Sequence, residues 1–190
     1  MRWLAYRFWR LRGWTFVGVV PDIPKMVIIG APHTSNWDFV LFLAALHQYK
    51  IKVSYIAKHS LFRWPFGYFF RALGGIPVNR TMPGGAVHQV ASTFNRSDEM
   101  ILVMAPEGTR GAAPHWKSGF WKIAQAANVP VVVAGVDRLT RQVSIGPTVD
   151  SRQSVGSFME VIRDFFANKQ GIKTGLKGPV QLQEEQLPAL

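Results

Sequence analysis

Met26-Val27-Ile28-Ile29-Gly30, then Ala31-Pro32-His33-Thr34-Ser35-Asn36-Trp37-Asp38, then Phe39-Val40-Leu41-Phe42-Leu43-Ala44-Ala45-Leu46 form the stretch on which the reading of the chain turns. The first run is short and β-branched, the composition of a buried strand. The last is long, rich in Leu, Ala and Phe and free of Gly and Pro, the composition of a core helix. Thr34, Ser35 and Asn36 are all good N-caps, so the helix is expected to begin between His33 and Asp38. Five residues along a regular helix is a rotation of about 140°, so His33 and Asp38 would diverge if both were helical. With His33 on the loop and Asp38 in the first turn, the loop can fold the imidazole back onto the carboxylate. Such a pair fixes the tautomer and supports a general base. The alternative is a loop histidine beside an acidic first-turn residue that merely favours the helix dipole.

Outward from this stretch the pattern alternates. Residues 1–16 are expected to form a helix, with Leu4, Phe8 and Leu11 on a narrow stripe flanked by Trp and Arg. A Pro-punctuated connector follows. Strands are expected at 52–57, at 76–78 (where Pro77 argues for an edge), at 100–104, at 129–136 and at 142–145. Helices are expected at 60–73 (interrupted by Pro65), 86–95, 116–127 and 154–168. Strands alternating with helices predict a single α/β domain with a central, mostly parallel sheet flanked by helices and sites at strand C-terminal ends. The expected organisation is an N-terminal membrane-interface helix and connector over 1–20, a domain over 21–170, and a polar, poorly ordered tail over 171–190.

Composition narrows the partners. The 190 residues carry a formal charge of +11 and no Cys, which leaves no disulfide, thiol nucleophile or thiolate metal site. Residues 1–80 hold a net +9 and five of the seven Trp, whereas the rest holds +2. Basic and Trp-rich is the composition of a membrane-interface surface. There is no Lys/Arg block of five and no RNA-recognition signature, so no nucleic-acid partner is expected. No apolar run reaches the ~20 residues that a bilayer needs, and no signal peptide is read at the N-terminus. His47, His59, His88 and His115 show no ligand spacing, so no metal is expected.

Three further stretches place charge after strands: Gly74-Gly75-Ile76-Pro77-Val78-Asn79-Arg80, Glu107-Gly108-Thr109-Arg110 and Trp116-Lys117-Ser118-Gly119. Two Arg and a Lys converging on one crevice would suit a phosphate. Taken in order with His-x4-Asp before them and Val129-Pro130-Val131-Val132 after, they resemble the glycerolipid acyltransferases, best known as 1-acylglycerol-3-phosphate (lysophosphatidate) acyltransferases. Ala57-Lys58, Leu61-Phe62, Pro65-Phe66-Gly67 and Arg71-Ala72-Leu73-Gly74 extend the likeness, which covers roughly Val27 to Val136. The chain departs from the usual pattern at Pro32, Pro77 and Val133, none of which removes a catalytic group.

The resemblance implies acyl transfer from acyl-CoA or acyl-carrier protein to a glycerolipid hydroxyl, most simply lysophosphatidate to phosphatidate, with no other cofactor. His33 would be the base and Asp38 its orienting partner. Arg80, Glu107, Gly108, Thr109 and Arg110 would form the acceptor phosphate site, joined by Lys117. Backbone N–H groups near Gly108 or the helix start are candidate oxyanion donors. Ser35 offers a covalent route, but there is no Gly-x-Ser-x-Gly elbow. The expected setting is peripheral, on the cytoplasmic face of an anionic membrane. The alternatives are a different lysolipid acceptor, or a non-catalytic lipid- or anion-binding module.

Overall fold

The computed structural model describes residues 1–58, 62–63, 67–72, 74–78 and 85–186. In chain order its elements are α1 (Arg2–Leu11), β1 (Thr15–Val17), β2 (Lys25–Ala31), α2 (Trp37–Gln48), β3 (Ser54–Lys58), α3 (Gly67–Ala72) and β4 (Gly75–Val78). There follow α4 (Gly85–Arg96), β5 (Met100–Met104), α5 (Gly119–Ala127), β6 (Val131–Asp137), β7 (Gln142–Val149) and α6 (Val155–Phe166), then a 3-10 turn at Gln183–Gln186. One seven-stranded sheet runs β1-β7-β6-β2-β5-β3-β4, parallel throughout except where β7 lies antiparallel to β6.

The run Met26–Gly30 lies in β2, with β5 on one side and β6 on the other. A strand between two parallel neighbours is covered on both faces, which is why the run is apolar throughout rather than alternating. Val27, Ile29 and Ala31 join Phe94, Phe120, Phe158 and Phe166 in the core beneath α4, α5 and α6. Met26 and Ile28 face the other way, with Val132. That second face is covered by α2, on which α1 is laid through Ala5, Trp9, Trp14, Leu41 and Ala44. β4 is one of the two edge strands, as Pro77 suggests, and β1 is the other.

Three expectations are corrected. Residues 15–17 are not helix or connector but a strand paired parallel with β7. The helix α5 starts at Gly119 rather than at Trp116, because Trp116 is instead bridged to Leu182. The Gly and Lys content from Gly171 onward suggests a loose tail. Residues 171–186 are instead packed on the domain, with Leu182 fully buried, Glu184 paired to Lys122 and Glu185 to Arg163. Residues 187–190 lie outside the described residues.

The terminal helix also differs from an interfacial helix lying wholly on lipid. Trp9 and Trp14, two of the Trp in the stretch expected as a membrane-interface helix and connector, are buried against α2, and Phe8 is half-buried and stacked on Trp37. Leu4 and Leu11 are exposed, together with Trp3. The helix therefore has one core face and one outward face, and the core face binds it to the domain.

Candidate active site

β2, β5 and β6 run in parallel, so their C-terminal ends open on one edge of the sheet. The β2–α2 loop delivers His33 and Asp38 there. His33 Nδ1 lies 3.2 Å from Asp38 Oδ2, with the imidazole half-buried and the carboxylate buried. Asp38 Oδ2 also accepts the Thr34 and Ser35 N–H groups, each at 2.7 Å. Asn36 is the N-cap but makes no side-chain cap bond. The first-turn carboxylate reaches back and captures the loop instead, so it closes the loop and orients the imidazole at once. A proton on Nδ1, facing the Asp38 carboxylate at 3.2 Å, would leave the lone pair on Nε2, the arrangement a proton acceptor requires.

The loop after β5 brings Glu107 to the same place. Its Oε2 accepts the His33 N–H at 2.6 Å, and the side chain is 4% exposed. Burial pushes its carboxyl up to about 7, with nearby Asp38 adding to the rise. The His33 N–H and the charges of His33 and Lys177 oppose it. The resemblance groups Glu107 with the phosphate ligands, but the carboxylate is turned inward onto the histidine's own backbone. Gly108 has φ +67°, and Lys117 Cγ would sit 3.1 Å from any Cβ there, so the tight turn favours glycine on both counts. Gly108, Thr109, Arg110 and Lys117 are all exposed. Arg80 lies outside the described residues.

Of the candidate oxyanion donors, Gly108 N–H closes a turn on Ala105 O at 3.2 Å, and Thr34 and Ser35 N–H are held by Asp38. None of these three is free. Among the described residues, no group of three or more His, Asp or Glu comes together that could hold a metal ion.

Composition and spacing do not point to the feature beside the dyad, a cavity of about 540 Å³ between the sheet and α2. His33 and Asp38 line it, with Ile28, Gly30, Ala134 and Phe42 among the apolar walls. Small residues at strand ends make the room: a Cβ built on Gly30 meets nothing within 4 Å. Met1 and Phe39, both exposed, also line it. The one trace in the sequence is the glycine that interrupts a β-branched run. An apolar cavity of this size, ending on a histidine–carboxylate pair, can hold an apolar chain and present its polar end to a base.

Similarity to known proteins agrees with this geometry. A 1-acyl-sn-glycerol-3-phosphate acyltransferase of Streptococcus pneumoniae (strain ATCC BAA-255 / R6) is 27% identical over 114 residues, 60% of this chain and 42% of that protein. The match thus spans less than half the length of that curated relative. The solved 1-acyl-sn-glycerophosphate (LPA) acyltransferase PlsC of Thermotoga maritima shares the fold, with a TM-score of 0.56 over 87% of this chain and 73% of that chain at 20% identity. The family model described as Acyltransferase matches residues 19–137, which hold β2, the dyad and Glu107-Gly108-Thr109-Arg110. That is well over half of the sequence, and the chain belongs to this acyltransferase family.

Proposed function

We propose that the protein is an O-acyltransferase that moves a fatty acyl group from acyl-CoA or acyl-carrier protein to a hydroxyl of a lysophospholipid, lysophosphatidate first among the candidates. The observation that carries this is the His33–Asp38 pair at the wall of an apolar cavity of about 540 Å³. The acyl chain occupies the cavity, which leaves its thioester carbonyl near His33. As the acceptor oxygen attacks that carbonyl, its proton passes to His33 Nε2. The C–O bond forms, the C–S bond breaks, and the imidazolium returns the proton to the leaving thiolate. Asp38 holds the tautomer and stabilises the imidazolium. No protein nucleophile is needed. General-base assistance of this kind is worth ~10²–10⁴-fold.

Arg110 and Lys117 stand exposed on the neighbouring loop, suited to an acceptor phosphate that reaches the base from solvent. The membrane supplies both the acceptor and the docking surface. The outward face of α1 carries Trp3, Leu4 and Leu11, and Phe8 stacks on the exposed Trp37 at 5.6 Å, joining this face to the start of α2. Residues 1–21 contain four Arg and no acid, which suits an anionic leaflet. Among the described residues no helix is long and apolar enough to cross a membrane.

The test is transfer by the purified protein from labelled long- and short-chain acyl donors to a panel of lysolipids. Gly30→Leu fills the cavity with a side chain where a Cβ has free space. It should reduce transfer from long-chain donors at least roughly tenfold while sparing short-chain donors, since the added volume displaces chain methylenes. Equal effects on both donors would remove the cavity from the acyl site. Absence of transfer from any donor would leave a lipid- or anion-binding module.

A further inference from the structure

The C-terminal segment 170–182 touches both loops of the site. Its start is pinned to the end of β6: Gln170 N–H donates to Asp137 Oδ1 at 3.3 Å, and Arg138 N–H donates to Gln170 O at 2.9 Å. Gly171 then lies directly on Thr34, in the catalytic loop. A Cβ at Gly171 would sit 2.5 Å from Thr34 Cγ2 and 2.6 Å from Oγ1. Two residues on, Lys173 N–H donates to that Oγ1 at 3.0 Å, while Ile172 packs into the α1–α2 cluster. Thr34 is 2% exposed, and its own N–H is bound to Asp38 Oδ2 at 2.7 Å. The segment is thus one residue removed from the dyad.

Further on, the same segment meets the loop that carries Arg110 and Lys117. A Cβ at Gly178 would sit 2.2 Å from Ala113 O. Gln181 Nε2 donates to Pro114 O at 3.2 Å, and Trp116 N–H donates to Gln181 O at 2.8 Å. Between these contacts Lys177 Nζ donates to Phe166 O at 2.6 Å and Ala167 O at 3.0 Å, tying the segment to the end of α6.

We propose that residues 170–182 form a strap that sets the catalytic loop and the acceptor loop in register, with Thr34 and Gly171 as positioning residues for the dyad and Gly178 for the acceptor side. The two ends act on different steps. Displacing Thr34 drags the N–H that holds Asp38, and with it the imidazole. Displacing Ala113 moves the phosphate-facing loop and leaves the dyad in place. This rests on His33 being the base, so His33→Ala is assayed alongside.

The experiment measures kcat, both KM values and Tm for Gly171→Ala, Gly178→Ala, Thr34→Ala and the pair Gly171→Ala/Thr34→Ala, with Gly156→Ala as a control where a Cβ meets nothing. Misplacing a catalytic group by about an ångström costs up to ~10²-fold. Gly171→Ala should therefore lower kcat roughly 10- to 100-fold with both KM values within about threefold. Gly178→Ala should chiefly raise the acceptor KM. The double variant should recover most of the kcat lost in Gly171→Ala and approach Thr34→Ala alone, because removing Cγ2 and Oγ1 relieves the two worst overlaps and leaves only Thr34 Cβ at 3.1 Å. Should Gly171→Ala fail to fold, Thr34→Val, which keeps the shape and removes only the acceptor of Lys173 N–H, must still lower kcat. Lowered Tm with unchanged kcat and KM at both ends would overturn the proposal, leaving the segment a plain fold contact. An active His33→Ala would sink the base assignment and with it the dyad-positioning role of Gly171, while an impaired Gly171→Ala beside it would still show that the segment sets the loop that carries Thr34.

Discussion

The loop after β2 and the loop after β5 flank the same edge of the sheet but are organised differently. In the first, all but one of the polar groups around His33 are engaged within the chain: Asp38 Oδ2 takes two N–H groups and lies 3.2 Å from the imidazole, His33 N–H goes to Glu107, and Thr34 Oγ1 takes Lys173 N–H, while the buried Asp38 Oδ1 has no partner among the described residues. In the second, Glu107 turns inward, but Arg110 and Lys117 project into solvent and no ion pair reaches either among the described residues. A group that must hold a fixed geometry at the moment of reaction benefits when its hydrogen bonds are already made, since no reorganisation is then required. A group that must capture an anion benefits when it has no partner beforehand. On the proposed function, the contrast would separate chemistry from acceptor binding.

It also sets the largest expected effect. Asp38→Asn keeps the size of the side chain but loses the charge and can leave the imidazole in the wrong tautomer. It should lower kcat by about 10⁴-fold with little change in either KM. Arg110→Ala on the other loop should raise the acceptor KM about 10- to 150-fold, the equivalent of one charge-assisted bond at ~1.5–3 kcal/mol, and leave the donor KM alone. Steady-state kinetics with each substrate varied in turn checks the crossing. A donor KM that rises instead would assign the clamp to the CoA phosphates.

Glu107 is where the two loops meet, and its titration is the next test. The folded value of about 7 lies above the ordinary 4.5, so the native state holds the extra proton between these limits. Stability from this group is therefore greatest below pH 4.5, falls as pH rises towards 7, and stays reduced above it. The shift corresponds to about 3 kcal/mol at most. Glu107→Gln retains an oxygen for His33 N–H and removes the titration. The variant should gain Tm relative to the parent at pH 8, with little gain at pH 5. Parallel Tm profiles across this range would show that burial does not disfavour the charge.

The residues that could be read from the sequence were those whose role is local. Met26–Gly30 announces a buried strand because both its faces are covered, and Pro77 marks an edge because it cannot donate to a ladder. His33 lies on a short loop and Asp38 in the first turn of the helix that the loop enters, so their meeting requires no knowledge of the rest of the fold. Glu107 could be named but not oriented, because its partner is 74 positions away. The strap left no legible signal: Gly171 and Gly178 serve by lacking a Cβ where another segment presses close, which looks the same in sequence as glycine in a loose tail. The cavity was hidden for a related reason, since Gly30 and Ala134 define it by what they do not fill.

The smallest effects should come from the outward face of α1, a helix whose two faces repeat the contrast between committed and unengaged groups. Trp9 is 5% exposed and packs edge-on to Trp14 at 5.1 Å, whereas Trp3 is 56% exposed with Arg7 above its ring at 5.8 Å. Deleting residues 1–17 would remove β1 with α1 and uncover α2, so it could not separate anchor from core. Point changes can. Trp9→Ala opens a cavity in the α1–α2 cluster and should lower stability by about 3–5 kcal/mol, read as Tm. Arg7→Gln should leave Tm unchanged and weaken sedimentation with anionic vesicles by about 1 kcal/mol, close to fivefold. Trp3→Ala and Leu4→Ala should add to that loss through lost apolar contact. The Arg7 effect should fade as salt rises past the ~10 Å screening length of 0.1 M, while the Trp3 and Leu4 effects persist, because burial of apolar surface is not screened. If all three variants bound vesicles like the parent, the outward face of α1 would not be the docking surface. Exposed Trp37 and Phe39 at the start of α2 would be the next residues to change.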